Sequence, residues 1–278
     1  MSLAPLTALT MVAFAANSIL TRLAIEGGHI DPPGFALVRV ASGALVLVAL
    51  LQVRGGGLPV LRRDRLPGAV SLAVYMVGFT LAYLTLDAGL GALILFGVVQ
   101  VTMFAHAALT GDTPTPRQVA GAGAAFAGLL IALWPGAGGL ADPAGAALMV
   151  LAGLGWAAYT IVGRRATDPL AATTANFVLC LPMVLVLLAG TGAHFSPVGV
   201  ALGGICGGLT SGLGYALWYR VLPRLGGPRA AVVQLSVPIL AILAGALALR
   251  EPVGGTLILA AGLVVGGIAW AVTGARTR

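Results

Sequence analysis

Runs of about twenty apolar residues recur ten times along this chain, and the gaps between them are short. A helix rises about 1.5 Å per residue, so each run can cross the roughly 30 Å hydrocarbon core of a bilayer. The runs fall near 3–22, 34–53, 66–86, 90–110, 116–134, 143–163, 171–190, 197–221, 229–249 and 253–273. Between them stand turn formers and charges, among them Gly27-Gly28 with Asp31-Pro32-Pro33, Asp87-Ala88-Gly89, Asp168-Pro169 and Glu251-Pro252. The third and fourth runs lie so close that they must form an antiparallel hairpin. Charged residues are 8% of the chain, against about 25% in soluble domains, which leaves too little polar surface to face water. An all-α integral membrane protein is therefore expected. The opening Met1-Ser2-Leu3-Ala4-Pro5 lacks the basic stretch of a signal peptide, so the first run is read as an uncleaved span.

All 15 basic residues are arginine, and they are scattered between apolar runs rather than gathered on one wetted face. That distribution excludes nucleic-acid binding as the reason for the net charge of +7. Topology explains it better. The gaps after runs 2, 4, 6 and 8, together with the C-terminus, hold twelve arginines; the opposite side holds only Arg22, Arg39 and Arg250. By the positive-inside rule both termini face the cytoplasm. Cys180 and Cys206 lie within apolar runs without the spacing of a disulfide framework or a zinc site, so no metal and no cofactor are expected.

The chain also echoes itself. Phe14–Ala24 aligns with Trp156–Ala166, matching Ile19 with Ile161 and Arg22 with Arg164 and setting an aromatic against an aromatic at 14/156. A second echo places Asp112 ahead of Pro114 against Glu251-Pro252, and Gly123 and Gly128 against Gly262 and Gly267. Such self-similarity marks a repeat protein. Five runs per half is an odd number, so the second half enters the membrane upside down. The units are expected at residues 1–138 and 139–278. Inverted repeats are a signature of secondary transporters, which hold ligand at the midplane between them. Span 8 carries the rows Gly204-Gly208-Gly212 and Gly203-Gly207-Ser211, whose small residues permit close helix contact.

Polar and aromatic groups inside the runs are few, so their placement is informative. Tyr75, Phe79 and Tyr83 recur every four residues on one face of span 3, and Ser211, Tyr215 and Trp218 do the same in span 8. Trp156 and Tyr159 lie in span 6, Asn17 in span 1, Gln100 in span 4 and Gln234 in span 9. Trp134 and Trp270 stand at span ends and suit the headgroup belts. The deeper groups need a partner or water, and two readings fit: glue between helices, or the lining of a cavity. No Asp or Glu lies mid-membrane, and His106, towards the end of span 4, is the one histidine within a run. A cavity that is aromatic and polar but nearly uncharged is the expectation. An enzyme is not: Thr210-Ser211-Gly212 lacks the glycine and the following histidine of an intramembrane serine protease, and no HExxH is present. A channel would need a charged ring or a carbonyl filter, and neither is visible.

Ten spans in two inverted halves, the aromatic-to-arginine spacing of Phe14…Arg22 and Trp156…Arg164, and the acidic residues near proline at Asp112 and Glu251 resemble the EamA branch of the drug/metabolite transporter superfamily. The second half fits better; the first has Phe14 for Trp and Asp112 for Glu. Within the branch the chain looks most like YddG-type amino-acid exporters. The resemblance implies a transporter of the bacterial inner membrane that exports amino acids or similar small metabolites by alternating access; whether it works as a monomer is left open by the sequence. Its cavity would be lined by spans 1, 3, 4, 6, 8 and 9, where the ten candidates Asn17 to Gln234 lie. It implies for the acidic-proline motif only a structural role beside a helix end. The alternative is a multidrug or cationic-compound exporter of the same superfamily.

Overall fold

The computed structural model describes residues 3–58, 63–110, 115–133, 141–163, 166–188, 194–225 and 233–273, and these are almost wholly helical. The helices are α1 (Leu3–Glu26), α2 (Pro32–Val53), α3 (Leu66–Ala82), α4 (Ala88–Leu109), α5 (Pro116–Leu133), α6 (Pro143–Gly163) and α7 (Pro169–Leu188). Span 8 is α8 (Pro197–Ile205), a π-helical stretch Cys206–Leu213, and α9 (Gly214–Leu225). Span 9 is α10 (Ser236–Ala244) with a second π-helical stretch Gly245–Leu249, and span 10 is α11 (Gly255–Thr273). Seven helices are long and apolar enough to cross a membrane alone, and the shorter apolar helices Leu66–Ala82, Ser236–Leu249 and Gly255–Ala271 complete ten. Helix starts follow local chemistry. Asp31 and Ser196 cap α2 and α8 through the Gly34 and Gly199 amides, each ahead of a proline whose missing N–H costs nothing in a first turn. Leu45, Leu109, Val186 and Leu247 are among many large apolar side chains left on the surface, as a hydrocarbon solvent allows.

Loops expected on one side are tied only to each other among the bonds described. On the outer side, so termed after the arginine distribution, Ile30 bridges Phe195, the His194 amide donates to Asp31 Oδ2 at 2.5 Å, and Thr85 Oγ1 donates to Asp142 at 3.1 Å. On the inner side Arg54 pairs with Asp168, and Arg117 Nε donates to the Trp270 carbonyl at 2.9 Å. Burial works against the Asp168 carboxylate, but the Arg54 bond holds it below its ordinary range. The exposed Trp270 indole beneath Arg117 fits the belt reading; Trp134 lies outside the described residues.

The packing obeys one exchange rule: replace each span by the one five places on, and the set of main helix pairs is unchanged. Span 5 packs on span 10, 2 on 7 and 4 on 9, and each of these pairs maps onto itself. The pair of spans 3 and 6 maps onto 8 and 1, and the pair 3 and 7 onto 8 and 2. The self-paired helices are antiparallel. Gly121 abuts Gly267 and Gly128 abuts Ala260, so the start of α5 meets the end of α11. Two halves pointing the same way would make such pairs parallel. The fold is thus ten transmembrane helices in two inverted five-helix repeats.

The acidic-proline motif of the second half is a bracket. Glu251 accepts hydrogen bonds from the first amides of α4, Ala88 at 2.7 Å and Gly89 at 3.3 Å, where the positive end of the helix dipole favours a carboxylate. Arg22 closes the arrangement, 3.0 Å from Glu26, 3.6 Å from Asp87 and 3.8 Å from Glu251, while donating to the Tyr83 carbonyl. The equivalent Asp112 and Arg164 lie outside the described residues. Burial pushes Glu251 above its ordinary carboxylate range, although the two amide bonds pull it down. Its ionised form is therefore held less comfortably in the fold than in the unfolded chain. Glu251→Ala is expected to cost about 1 kcal/mol through the lost cap. That margin is full in acid, below the unfolded value, and shrinks as pH rises through the raised folded value. Thermal melts of wild type and variant across pH check both the size and the trend.

Candidate functional site

A chain of rings runs through the middle of the molecule. Trp156, halfway along α6, is its hub: its ring centroid lies 4.8 Å from Tyr75, 4.9 Å from Tyr215, 5.5 Å from Tyr159 and 6.2 Å from Phe14. Phe14 in turn meets Tyr215 and Trp218, both at 5.8 Å, and Phe79 links Tyr75 to Tyr83 at 5.3 and 4.9 Å. The tilted and edge-on geometries are those that ring quadrupoles prefer. Close backbone approach makes this possible: a side chain on Gly155 would meet the Tyr75 amide, and one on Gly78 the Leu148 carbonyl.

At the centre is a cavity of about 10 Å³, lined by Phe14, Asn17, Ser18, Tyr75, Phe79, Leu95, Phe96 and Trp156. That is room for a single water. Four expected residues, Asn17, Tyr75, Phe79 and Trp156, line it. Tyr159, Tyr215, Trp218 and Tyr83 stand behind them in the ring chain, the hydroxyl of Tyr159 within 3.3 Å of Thr173 Oγ1 and that of Tyr83 donating to the Ala88 carbonyl. Gln100, half-buried in α4, and Gln234, buried at the start of span 9, do not border the cavity. His106 sits half-buried in the last turn of α4, also away from it.

Beside the cavity the expectation of a nearly uncharged centre fails. Arg39, counted with the outer arginines in the sequence, is completely buried. It lies seven residues after Pro32 begins α2, about two turns or 10 Å into the helix. Its Nε donates to Ser211 Oγ at 3.0 Å and its Nη2 to the Tyr75 hydroxyl at 3.1 Å, while its carbon centre lies 4.9 Å from the Phe79 ring. Nη1 has no partner among the described residues. No carboxylate balances the charge either; the ion pairs described belong to Arg22, Arg54 and Arg65. The guanidinium keeps its proton in any protein environment, so the positive charge is permanent.

The π-helical stretch of span 8 sets the orientation of this group. It carries Cys206, Thr210 and Ser211 onto one face, where all three reach Asn17 Oδ1, at 3.3, 2.7 and 3.1 Å. Ser211 thus gives its proton to Asn17 and receives one from Arg39. Asn17 itself lines the cavity. Widened turns of this kind recur at functional sites. Both cysteines are free and buried, and no cluster of metal-ligating side chains occurs among the described residues.

Sequence reasoning missed Arg39 and Phe14. The signal for Arg39 was its place: an arginine within an apolar run, not in a gap.

Comparison with known proteins places this arrangement. Residues 143–273, the second repeat, match the EamA-like transporter family. An uncharacterized protein of Pseudomonas aeruginosa is 45% identical over 273 residues, covering 95% of this chain and 92% of its own length. An uncharacterized transporter of Archaeoglobus fulgidus is 25% identical over 208 residues, covering 72% of this chain and 74% of its own. A protein of known crystal structure superposes with a TM-score of 0.65 at 22% identity over 97% of both chains, a likeness of fold. On the family match, residues 143–273 of the chain form an EamA-like transporter family domain.

Proposed function

We propose that the chain is a secondary transporter that exports amino acids or similar small metabolites across a bacterial inner membrane, with both termini cytoplasmic. The units 1–138 and 139–278 rock against each other, opening the central cavity to each side in turn. One observation carries this reading: aromatic side chains of both halves and the Asn17 amide meet around a small central cavity, in a chain whose residues 143–273 match a transporter family. The likeness to YddG-type exporters supports amino acids as cargo and supplies the direction. The cationic-compound alternative is disfavoured by Arg39, whose fixed charge beside the cavity repels a cation.

Uptake of a labelled amino-acid panel into proteoliposomes, with and without a pH gradient, tests the reading. Wild type is expected to move a subset of the panel. Tyr75→Ala, which removes both the ring on Trp156 and the hydroxyl on Arg39, is expected to slow transport at least about tenfold, a lost charge-assisted bond being worth that or more. Normal transport with unchanged selectivity in a folded Tyr75→Ala protein would dismiss the site.

A further inference from the structure

We propose that Arg39 is the anion receptor of this transporter and that its cargo is seated through a carboxylate. This rests on the transport reading above and narrows its substrate class.

A permanent charge enclosed by protein costs several kcal/mol unless something balances it. Arg39 is fully enclosed in α2, yet every acidic residue of the chain lies at a span end or in a loop. Its neighbours Ser211, Tyr75 and Phe79 are neutral. The Ser211 bond and the ring of Phe79 fix the plane of the guanidinium, so the group is oriented before any ligand arrives. One arm is occupied by Ser211, one by Tyr75, and Nη1 has no partner among the described residues. A second orphan donor belongs to the same cluster. The indole N–H of Trp156 is buried and unpartnered, on a ring that lines the cavity and packs against Tyr75.

Buried groups of this kind are paired in nearly all proteins. Three without a partner among the described residues, Arg39 Nη1, the Trp156 indole N–H and the Tyr215 hydroxyl, ask for a ligand that accepts. A carboxylate supplies what is missing: negative charge for Arg39 and two oxygens to share between the orphan donors. Asn17, whose Oδ1 takes bonds from Cys206, Thr210 and Ser211, is a polar residue of the same cavity wall. On the ligand side, the faces of Phe14, Trp156 and Tyr215 suit an apolar or cationic remainder. No side chain in the cluster is an anion, so an amine without a carboxylate finds no counter-charge. The cavity in this conformation holds no more than a water, so the receptor serves conformations in which the halves stand further apart.

Competition in proteoliposomes tests the assignment. Each L-amino acid of the panel is compared with its carboxamide and its decarboxylated amine, and simple monocarboxylates are run alongside. Wild type is expected to recognise the acids and to bind amides and amines about ten- to a hundredfold more weakly, the range of a lost charge-assisted bond. Arg39→Gln is expected to remove that preference, and Arg39→Lys to restore it in part, because the charge returns without the fork. Equal transport of acids and amides by wild type overturns the proposal while leaving amino-acid-like export intact. Transport of monocarboxylates but of no amino acid does the reverse, sinking the amino-acid cargo and keeping the receptor. If Arg39→Gln fails to fold, the wild-type comparison of acid with amide decides alone. A folded Arg39→Gln protein with undiminished preference for acids also overturns it.

Discussion

Gly207→Ala is expected to destabilise the protein by about 3 kcal/mol, the upper end of overpacking costs, and to abolish well-dispersed material in detergent. The reason is the approach of span 8 to α2. A methyl group at Gly207 would overlap the Arg39 carbonyl oxygen and Ser42 Oγ, and backbone atoms of a helix do not yield as a side-chain tip does. The helix would have to move outward, carrying Ser211 away from Arg39 Nε one turn later. Gly43, on the other helix of the contact, faces the Gly207 carbonyl and the Phe177 ring, so no slack exists there. The control is Gly204→Ala, three residues earlier on the open side, where an added methyl meets nothing within 4 Å. It is expected to be silent or slightly stabilising, since alanine favours helix. Thermal melts and gel filtration of the two variants side by side check the contrast. Matching behaviour would mean that span 8 does not lie against α2 in this way.

The same pair of glycines shows what the sequence could and could not reveal. Two rows of small residues in span 8 are equally visible in the letters, but only Gly203 and Gly207 of the first row come to α2 at sub-contact range. Gly208 and Gly212 of the second meet it less closely, and Gly204 faces open space. The choice between them is made by helix rotation, which a π-helical stretch alters and no spacing rule anticipates. Span number and antiparallel order were legible because each span is a run of uniform apolarity bounded by turn residues. The inverted halves were legible because five is odd. The rings of spans 3, 6 and 8 were legible because aromatic residues are scarce enough for a four-residue recurrence to stand out.

Arg39 was hidden by its chemistry. An arginine near the end of an apolar run satisfies the rule for loop charge and the rule for a buried site alike, and only its depth separates them. α2 starts at Pro32, early enough to bury Arg39 two turns down. The amides Gln100 and Gln234 do not border this cavity, and the letters alone could not say so, for a related reason. Polarity inside a run reveals that a partner is needed, but not whether that partner is the cavity or a neighbouring helix.

Trp156→Ala is expected to have the largest effect of any single side-chain truncation, costing about 4 kcal/mol, midway in the range for deleting a large buried ring. Four rings, Phe14, Tyr75, Tyr159 and Tyr215, rest on this indole, and it is 5% exposed, so its removal takes away packing on several sides at once. The space it leaves opens into the small cavity already bordered by Phe14 and Tyr75. Neighbouring helices cannot close that gap cheaply, because Gly155 and Gly153 already bring α6 to backbone contact with α3 and α4. Trp156→Phe separates the two roles of the side chain. It keeps a ring against Tyr75 and Tyr215 and is expected to recover most of the stability, while losing the only polar atom of the indole. Melting temperatures should therefore rank wild type, then Phe, then Ala, whereas selectivity for carboxylates over amides should fall in both variants. A Phe variant that matches wild type in stability and selectivity together would reduce Trp156 to packing. A variant that recovers stability without selectivity would place its N–H among the groups that meet the cargo.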